Sequence, residues 1–253
     1  MRGVDLNETL NLFKMHRSIR QFKNERVKEE DMKAIFEAYT HAPSSLGLQE
    51  ASIIHVTDQD LKNKIMEIST QEYIKDIPEL FIFVADIYRN RQIAIERGFE
   101  IEKKPSLEML IQGFTDSIIG AENMAIAAES LGLGVVYLGS VLNDYEKLID
   151  LLDLPKYTFP VVGMGMGYPD QDPQVKPKMS IKHRCFENKY KTYDNYLEEL
   201  SGYDKEMNNY YDTRANGKRS DDFTNIAGKL HYVLLKNKGQ VLNILRKQGF
   251  DVD

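Results

Sequence analysis

Three short segments of the chain gather side chains suited to holding an anion. The first, His16-Arg17-Ser18-Ile19-Arg20, sits where a short helix pattern ends. Guanidinium groups bind phosphate oxygens in pairs, and a serine hydroxyl adds a neutral donor. The second, Lys176-Pro177-Lys178, places two cations on either side of a proline that stiffens their spacing. The third, Arg214-Ala215-Asn216-Gly217-Lys218-Arg219, is a turn-forming loop with three cations in six residues. Any one of these, met alone, is most often a solvated basic surface. A loop containing Ser44, Ser45 and Gly47 adds hydroxyls and backbone N–H groups.

Groups that move protons are scarce. The five histidines, at 16, 41, 55, 183 and 231, lack metal-ligand spacing, and no metal site is expected. His55 alternates within a strand pattern and reads as structural. Asp86 and Asp116 are isolated carboxylates, read as caps or packing partners. Cys185 is a lone thiol with no His-Asn or His-Asp context and reads as a packed or bland side chain. The Walker lysine loop, HExxH, CxxC and GxSxG are all absent. Anion-holding groups without an acid/base pair suit a phosphorylated cofactor that carries the chemistry itself.

The elements that must position these groups are organised by the stretch from Ser106 to Ser140. Leu107, Leu110, Ile111, Phe114, Ile118, Ala121, Ala125, Ala128 and Leu131 recur at helical steps, and from Ile118 onward the other faces become apolar too. A helix apolar nearly all round is predicted to be buried, here as the spine of a two-subunit core. Its small residues allow close approach, and its length is about 40 Å at 1.5 Å per residue. Gly132 and Gly134 stop it, and Val135 to Leu138 reads as a strand. Upstream lie a short helix ending near Met15, a helix from Glu29 to His41 and a strand over Ile53–Val56. A helix capped by Thr57 or Asp58 follows, then a central strand over Leu80–Ala85 and a helix from Asp86 to Gly98. Downstream, a helix capped by Asn143 or Asp144 precedes the strand Phe159–Tyr168. The alternating glycines of that strand, at 163, 165 and 167, predict something packed closely against it. The fold class is α+β around one sheet, in the order αβαβααβαβα. It forms a single domain over 1–253 with a helical C-terminal extension from about 190.

Composition narrows the function. Apolar residues at 42% and charged residues at 28% describe an ordinary globular protein, and the net charge of −6 argues against general nucleic-acid binding. One cysteine forms no intrachain disulfide and suits a reducing compartment. No signal-like or bilayer-spanning apolar run is present, so the expected location is cytoplasmic, with no membrane partner.

Seven segments, in order, resemble the nitroreductase-like FMN flavoproteins, and most closely their NfsA/Frp-type branch of NAD(P)H-dependent nitro- and flavin reductases. They are HRSIRQF at 16–22, the Ser44-Ser45 loop leading to LQ at 48–49, FIFVAD at 81–86, AAESLGLGVVYLGS at 127–140, FPVVGMGMGYP at 159–169, KPK at 176–178 and TRANGKR at 213–219. The resemblance covers about Leu12 to Phe250. It implies a mostly antiparallel central sheet flanked by helices, the long helix in a homodimer interface, and one FMN at each of two interface sites.

It also implies roles for residues. His16, Arg17 and Ser18 would hold the FMN phosphate and ribityl chain, with Lys176 and Lys178 facing the phosphate from the other side. Arg20 and Gln71 would sit at the pyrimidine end of the ring. Ser44 and Ser45 would come from the partner subunit. Tyr137, Gly139 and Ser140 would line the ring, and Arg214 and Arg219 would bind the phosphates of NADPH or NADH. No side chain is assigned as the catalytic group, because transfer between stacked rings needs orientation more than an acid or base. The acceptors implied are small molecules: nitroaromatics, quinones or free flavin, taken in turn in a ping-pong cycle. Four positions depart from the family pattern. Gly47 replaces a bulky residue over the cleft, Ser140 a second glycine, Lys178 an arginine, and Leu142 an arginine that contacts the nicotinamide nucleotide. A flavin-storage or redox-sensing protein is the competing reading.

Overall fold

The computed structural model of the chain describes residues 7–212, 218–219, 221–236 and 240–252. Two compact units result, Met1–Asp172 with Gln240–Asp253, and Pro173–Gly239. The last residues belong to the first unit.

The first unit begins with α1 (Glu8–Met15), capped by the Asn7 side chain, and α2 (Glu29–Thr40). Strand β1 (Ala51–Val56) leads to α3 (Gln59–Ser69), and β2 (Glu79–Asp86) leads to α4 (Ile87–Glu96). Helix α5 (Leu107–Ser130) is followed by β3 (Gly134–Leu138), α6 (Tyr145–Leu151) and β4 (Thr158–Gly167). Asp58, Asp86, Ser106 and Asp144 each accept a hydrogen bond from the backbone N–H three residues on, which is why these helices start where they do.

The strands form one antiparallel sheet in the order β1-β2-β4-β3. The inner strands are the continuous apolar runs: every residue of β2 from Glu79 to Ala85 is buried. Helices cover both faces of such strands, so alternation is lost. The β4 glycines are close-approach positions, as their spacing predicts. A methyl group on Gly163 would crowd Leu138 and Val141, and one on Gly165 would lie 2.6 Å from Ile77. Ile77 is held in place from behind: buried Lys62 donates from Nζ to the carbonyls of Ile77 (2.7 Å) and Pro78 (2.9 Å).

Helix α5 is not buried all round within one chain. Leu110, Gly113, Ser117, Ala121, Met124 and Ala128 face the core, while Leu107, Ile111 and Ile118 are 41–55% exposed on another face. Asp116, off the apolar stripe by sequence, is on the buried side.

In the second unit, α7 (Tyr196–Asn208) and α8 (Phe223–Lys236) are separated by two short strands, β5 (Tyr211–Asp212) and β6 (Lys218–Arg219). These pair antiparallel on either side of the segment that the sequence marks as turn-forming. The chain ends in α9 (Gln240–Lys247), part of the first unit. Ile244, Leu245 and Phe250 pack there with Ile149 and Phe159.

Candidate functional site

The segment 16–20 leaves α1 in an extended conformation and runs beside β3. Ser18 bridges to Val135 in parallel register, and the Ile19 N–H donates to the Val135 carbonyl at 2.9 Å. Ile19 is 4% exposed and lies over Gly134, where an added Cβ would be 2.6 Å from its Cγ1. Glycine there lets the segment approach the sheet this closely. His16 Nδ1 lies 2.7 Å from Glu129 Oε1 at the end of α5, and Arg17 pairs with Asp172 at 2.6 Å. A cleft of about 190 Å³ opens here, lined by His16, Arg17, Glu129, Gly134 and Gln171 among others. Arg20 Nε is buried without a hydrogen-bond partner among the described residues.

At the other end of β3 the chain turns into a 3-10 segment, Gly139–Asp144. A side chain at Gly139 would meet open space, and Ser140 Oγ is buried without a described partner. Asn143 Nδ2 donates to the carbonyls of Ile68 (3.4 Å) and Ser69 (3.3 Å), fastening this turn to the end of α3. Gln71 follows directly. Its Oε1 accepts from the Tyr73 hydroxyl at 2.5 Å, and its N–H donates to Ser69 Oγ. The Tyr137 side chain turns away, packing against the core under α5, and its hydroxyl donates to Glu122 at 2.9 Å. Burial, reinforced by the Glu122 carboxylate, raises the pKa of that phenol far above its ordinary value.

Ser44 and Ser45 stand elsewhere. They precede β1, the edge strand opposite β3, at the end where Ala51 pairs with Ala85 and Ala85 with Phe159. The Ser18 bridge is at the other end, level with Val135, Met166 and Glu79. The two groups occupy diagonal corners of the sheet, and the strand spacing alone separates Ser18 from β1 by about 19 Å. Within one chain, then, the structure brings together His16, Arg17, Ser18 and Arg20 with the strand leading to Gly139 and Ser140, and leaves the serine loop apart. The loop is tied down by Asp116, which accepts from the N–H groups of Ser45 (2.8 Å) and Glu50 (3.0 Å).

Lys176 and Lys178 belong to the second unit, where Lys176 Nζ lies 6.0 Å from the Tyr210 ring centroid. Arg214 lies outside the described residues. Arg219 pairs through its backbone with Tyr211.

A family model described as "Nitroreductase family" matches residues 13–168, and one for the C-terminal domain of that family matches 176–253. The chain belongs to the nitroreductase family. An "NADPH-dependent oxidoreductase" of Staphylococcus saprophyticus is 37% identical over 244 residues, covering 95% of this chain and 96% of its own. The structure of the NfrA1 nitroreductase from B. subtilis superposes with a TM-score of 0.86 at 30% identity, covering 96% and 99% of the two chains. The NADPH:FMN oxidoreductase from Vibrio harveyi, solved with NAD+, gives 0.84 at 31%, again covering 96% and 99%. The α+β family fold expected from the sequence is the one observed.

Three residues beside these segments carried no marking signal in the sequence. Glu129 sits 113 positions from His16, in a helix where a glutamate ordinarily faces water. Asp116 looked isolated, because its partners are backbone amides, which carry no sequence signal. Gln171, whose Nε2 is buried without a described partner beside His16 and Arg17, had no motif to mark it.

Proposed function

We propose that the protein is an FMN-dependent NAD(P)H oxidoreductase that works as a homodimer and passes electrons to nitroaromatics, quinones or free flavin in a ping-pong cycle. The observation that carries the reading is the Ser18–Val135 bridge. It sets a cationic segment one strand from the turn at Gly139, with Arg20 Nε and Ser140 Oγ both buried and unsatisfied among the described residues. Unsatisfied buried donors are costly, and a polar ring edge between them would relieve that cost. The donor set also fits a phosphate monoester at one end, in His16, Arg17 and Ser18, and no apolar ligand would need it.

Bound FMN would supply the redox chemistry, accepting a hydride from the nicotinamide and giving electrons to the second substrate. His16, Arg17, Ser18, Lys176 and Lys178 would hold its phosphate end. Arg20 and Gln71 would meet its pyrimidine edge, where the Arg20 charge favours the electron density that reduction brings. The turn at Gly139 leaves room for a flat ring against backbone, with the side chain of Tyr137 folded out of the way. Ser44 and Ser45 of the partner subunit would complete the site, which accords with their place at the far corner of the sheet. The exposed apolar face of α5, at Leu107, Ile111 and Ile118, is the surface a partner would cover. Arg214 and Arg219 would grip the phosphates of the nicotinamide nucleotide. The setting is cytoplasmic; no described helix is long and apolar enough to cross a membrane.

The test is anaerobic. Purified protein should carry a bound-flavin spectrum that NADPH or NADH bleaches, and a small acceptor should restore it. A yellow protein that neither nucleotide bleaches would support storage or sensing instead. A colourless protein that FMN does not reconstitute would remove the cofactor assignment.

A further inference from the structure

We propose that Asp116 is a positioning residue for the flavin site, holding the loop 44–49 in the conformation that presents Ser44 and Ser45 to the partner subunit. The inference rests on the homodimer reading above. Asp116 is 4% exposed in the middle of α5, and its two carboxylate oxygens accept from Ser45 N–H at 2.8 Å and Glu50 N–H at 3.0 Å. One side chain thus closes both ends of the loop.

The loop has reason to open without it. Leu46 (φ 51°), Gly47 (φ 72°) and Gln49 (φ 52°) are all left-handed, a region glycine enters freely and the other two enter under strain. Packing offers little compensation. Leu46 is 85% exposed, and beneath the loop lies a cleft of about 150 Å³ lined by Tyr39, Pro43, Ser44, Gln49 and Arg89, with Asp116 in its wall. The loop is held by polar contacts on complementary sides. Its flanking amides go to Asp116 on α5. The carbonyls of Leu48 and Gln49 go to Asn90 and Arg89 on α4. Of these three holding side chains only Asp116 is buried, so it is the one water substitutes for least well.

The position of Asp116 couples two features of the dimer. It lies on the helix whose exposed face, at Ile111 and Ile118, is the proposed subunit contact, and it grips the loop that would cross to the other flavin. A carboxylate is required because both partners are donors. An asparagine accepts only once and turns an NH₂ toward the second N–H.

The experiment is Asp116→Asn in the full-length dimer, stripped of flavin and titrated with FMN. Hydrogen exchange of the 45–50 amides and thermal melting are measured alongside. The expected result is exchange at Ser45 and Glu50 at least tenfold faster and FMN affinity at least tenfold weaker, with dimer and melting cooperativity retained. Faster exchange with unchanged FMN affinity would overturn the positioning role, and unchanged exchange would overturn the clamp. Should Asp116→Asn fail to fold, Asn90→Ala frees the loop from its carbonyl side and must show the same paired effects in smaller measure, or the proposal falls. Subunit mixing separates this inference from a general folding effect. A heterodimer of one Asp116→Asn subunit and one Arg17→Ala subunit should bind one FMN with wild-type affinity. Its absence would overturn delivery across the interface. Wild-type protein that binds no FMN would remove the flavin reading itself, while the exchange measurement would still decide the clamp.

Discussion

His16 Nδ1 and Glu129 Oε1 lie 2.7 Å apart, joining the end of the first helix to the last turn of the longest one. The glutamate side chain is 14% exposed, so the pair is only partly screened by solvent. A carboxylate in this place fixes the orientation of the imidazole beside Arg17.

Glu129→Ala should therefore loosen His16 and weaken FMN binding by about 1.5 kcal/mol, roughly tenfold, the low end for a hydrogen bond to a charged group. Fluorescence titration of flavin-free protein measures it. Affinity equal to wild type would mean that His16 does not depend on Glu129 for its role.

Gly134→Ala places a methyl group 2.6–2.9 Å from three carbons of Ile19. Ile19 has no room to retreat without carrying Ser18 and Arg20 along. The expected cost is about 1–3 kcal/mol of stability, typical of an overpacked core. FMN affinity should fall with it. Denaturant unfolding and flavin titration on the same sample would reveal a tolerated methyl group if neither moves.

Glu79 predicts a pH dependence away from the site. It is 2% exposed, lies 2.7 Å from His55 Nε2 through Oε2, and accepts from the Val27 N–H through Oε1. Burial alone would raise its pKa, but the His55 hydrogen bond and charge, the Val27 bond and Arg26 together hold it below the ordinary 4.5. A carboxyl with a depressed folded-state pKa stabilises the fold fully above its unfolded value and loses that contribution as pH falls through the folded one. The stability gap between wild type and Glu79→Gln should thus shrink as pH falls from about 6 to about 3. A gap that widens over that range would contradict the assignment.

Periodicity and turn chemistry were enough for most elements. The apolar runs of β2 and β4, the capping residues at 57–58 and 143–144 and the alternating glycines at 163, 165 and 167 are local signals. Each residue type reports its own backbone and burial. His55 reads as structural from its strand alternation, and its ring stacks on Phe81, its strand-paired neighbour. The pairing of Tyr211 with Arg219 beside the turn-forming segment carries no signal of its own, because two-residue strands have no period to detect.

By itself the sequence determined the α+β class, the cationic segments and the family, since these depend on residue type and order along the chain. Tertiary structure decided which groups meet. Folding brought Glu129 to His16 and the Ser45 and Glu50 amides to Asp116, and set the serine loop at the corner diagonal to Ser18. Long-range partners are chosen by how helices and strands pack, and a backbone amide looks the same in every residue. No pattern of side chains along the chain could have named them.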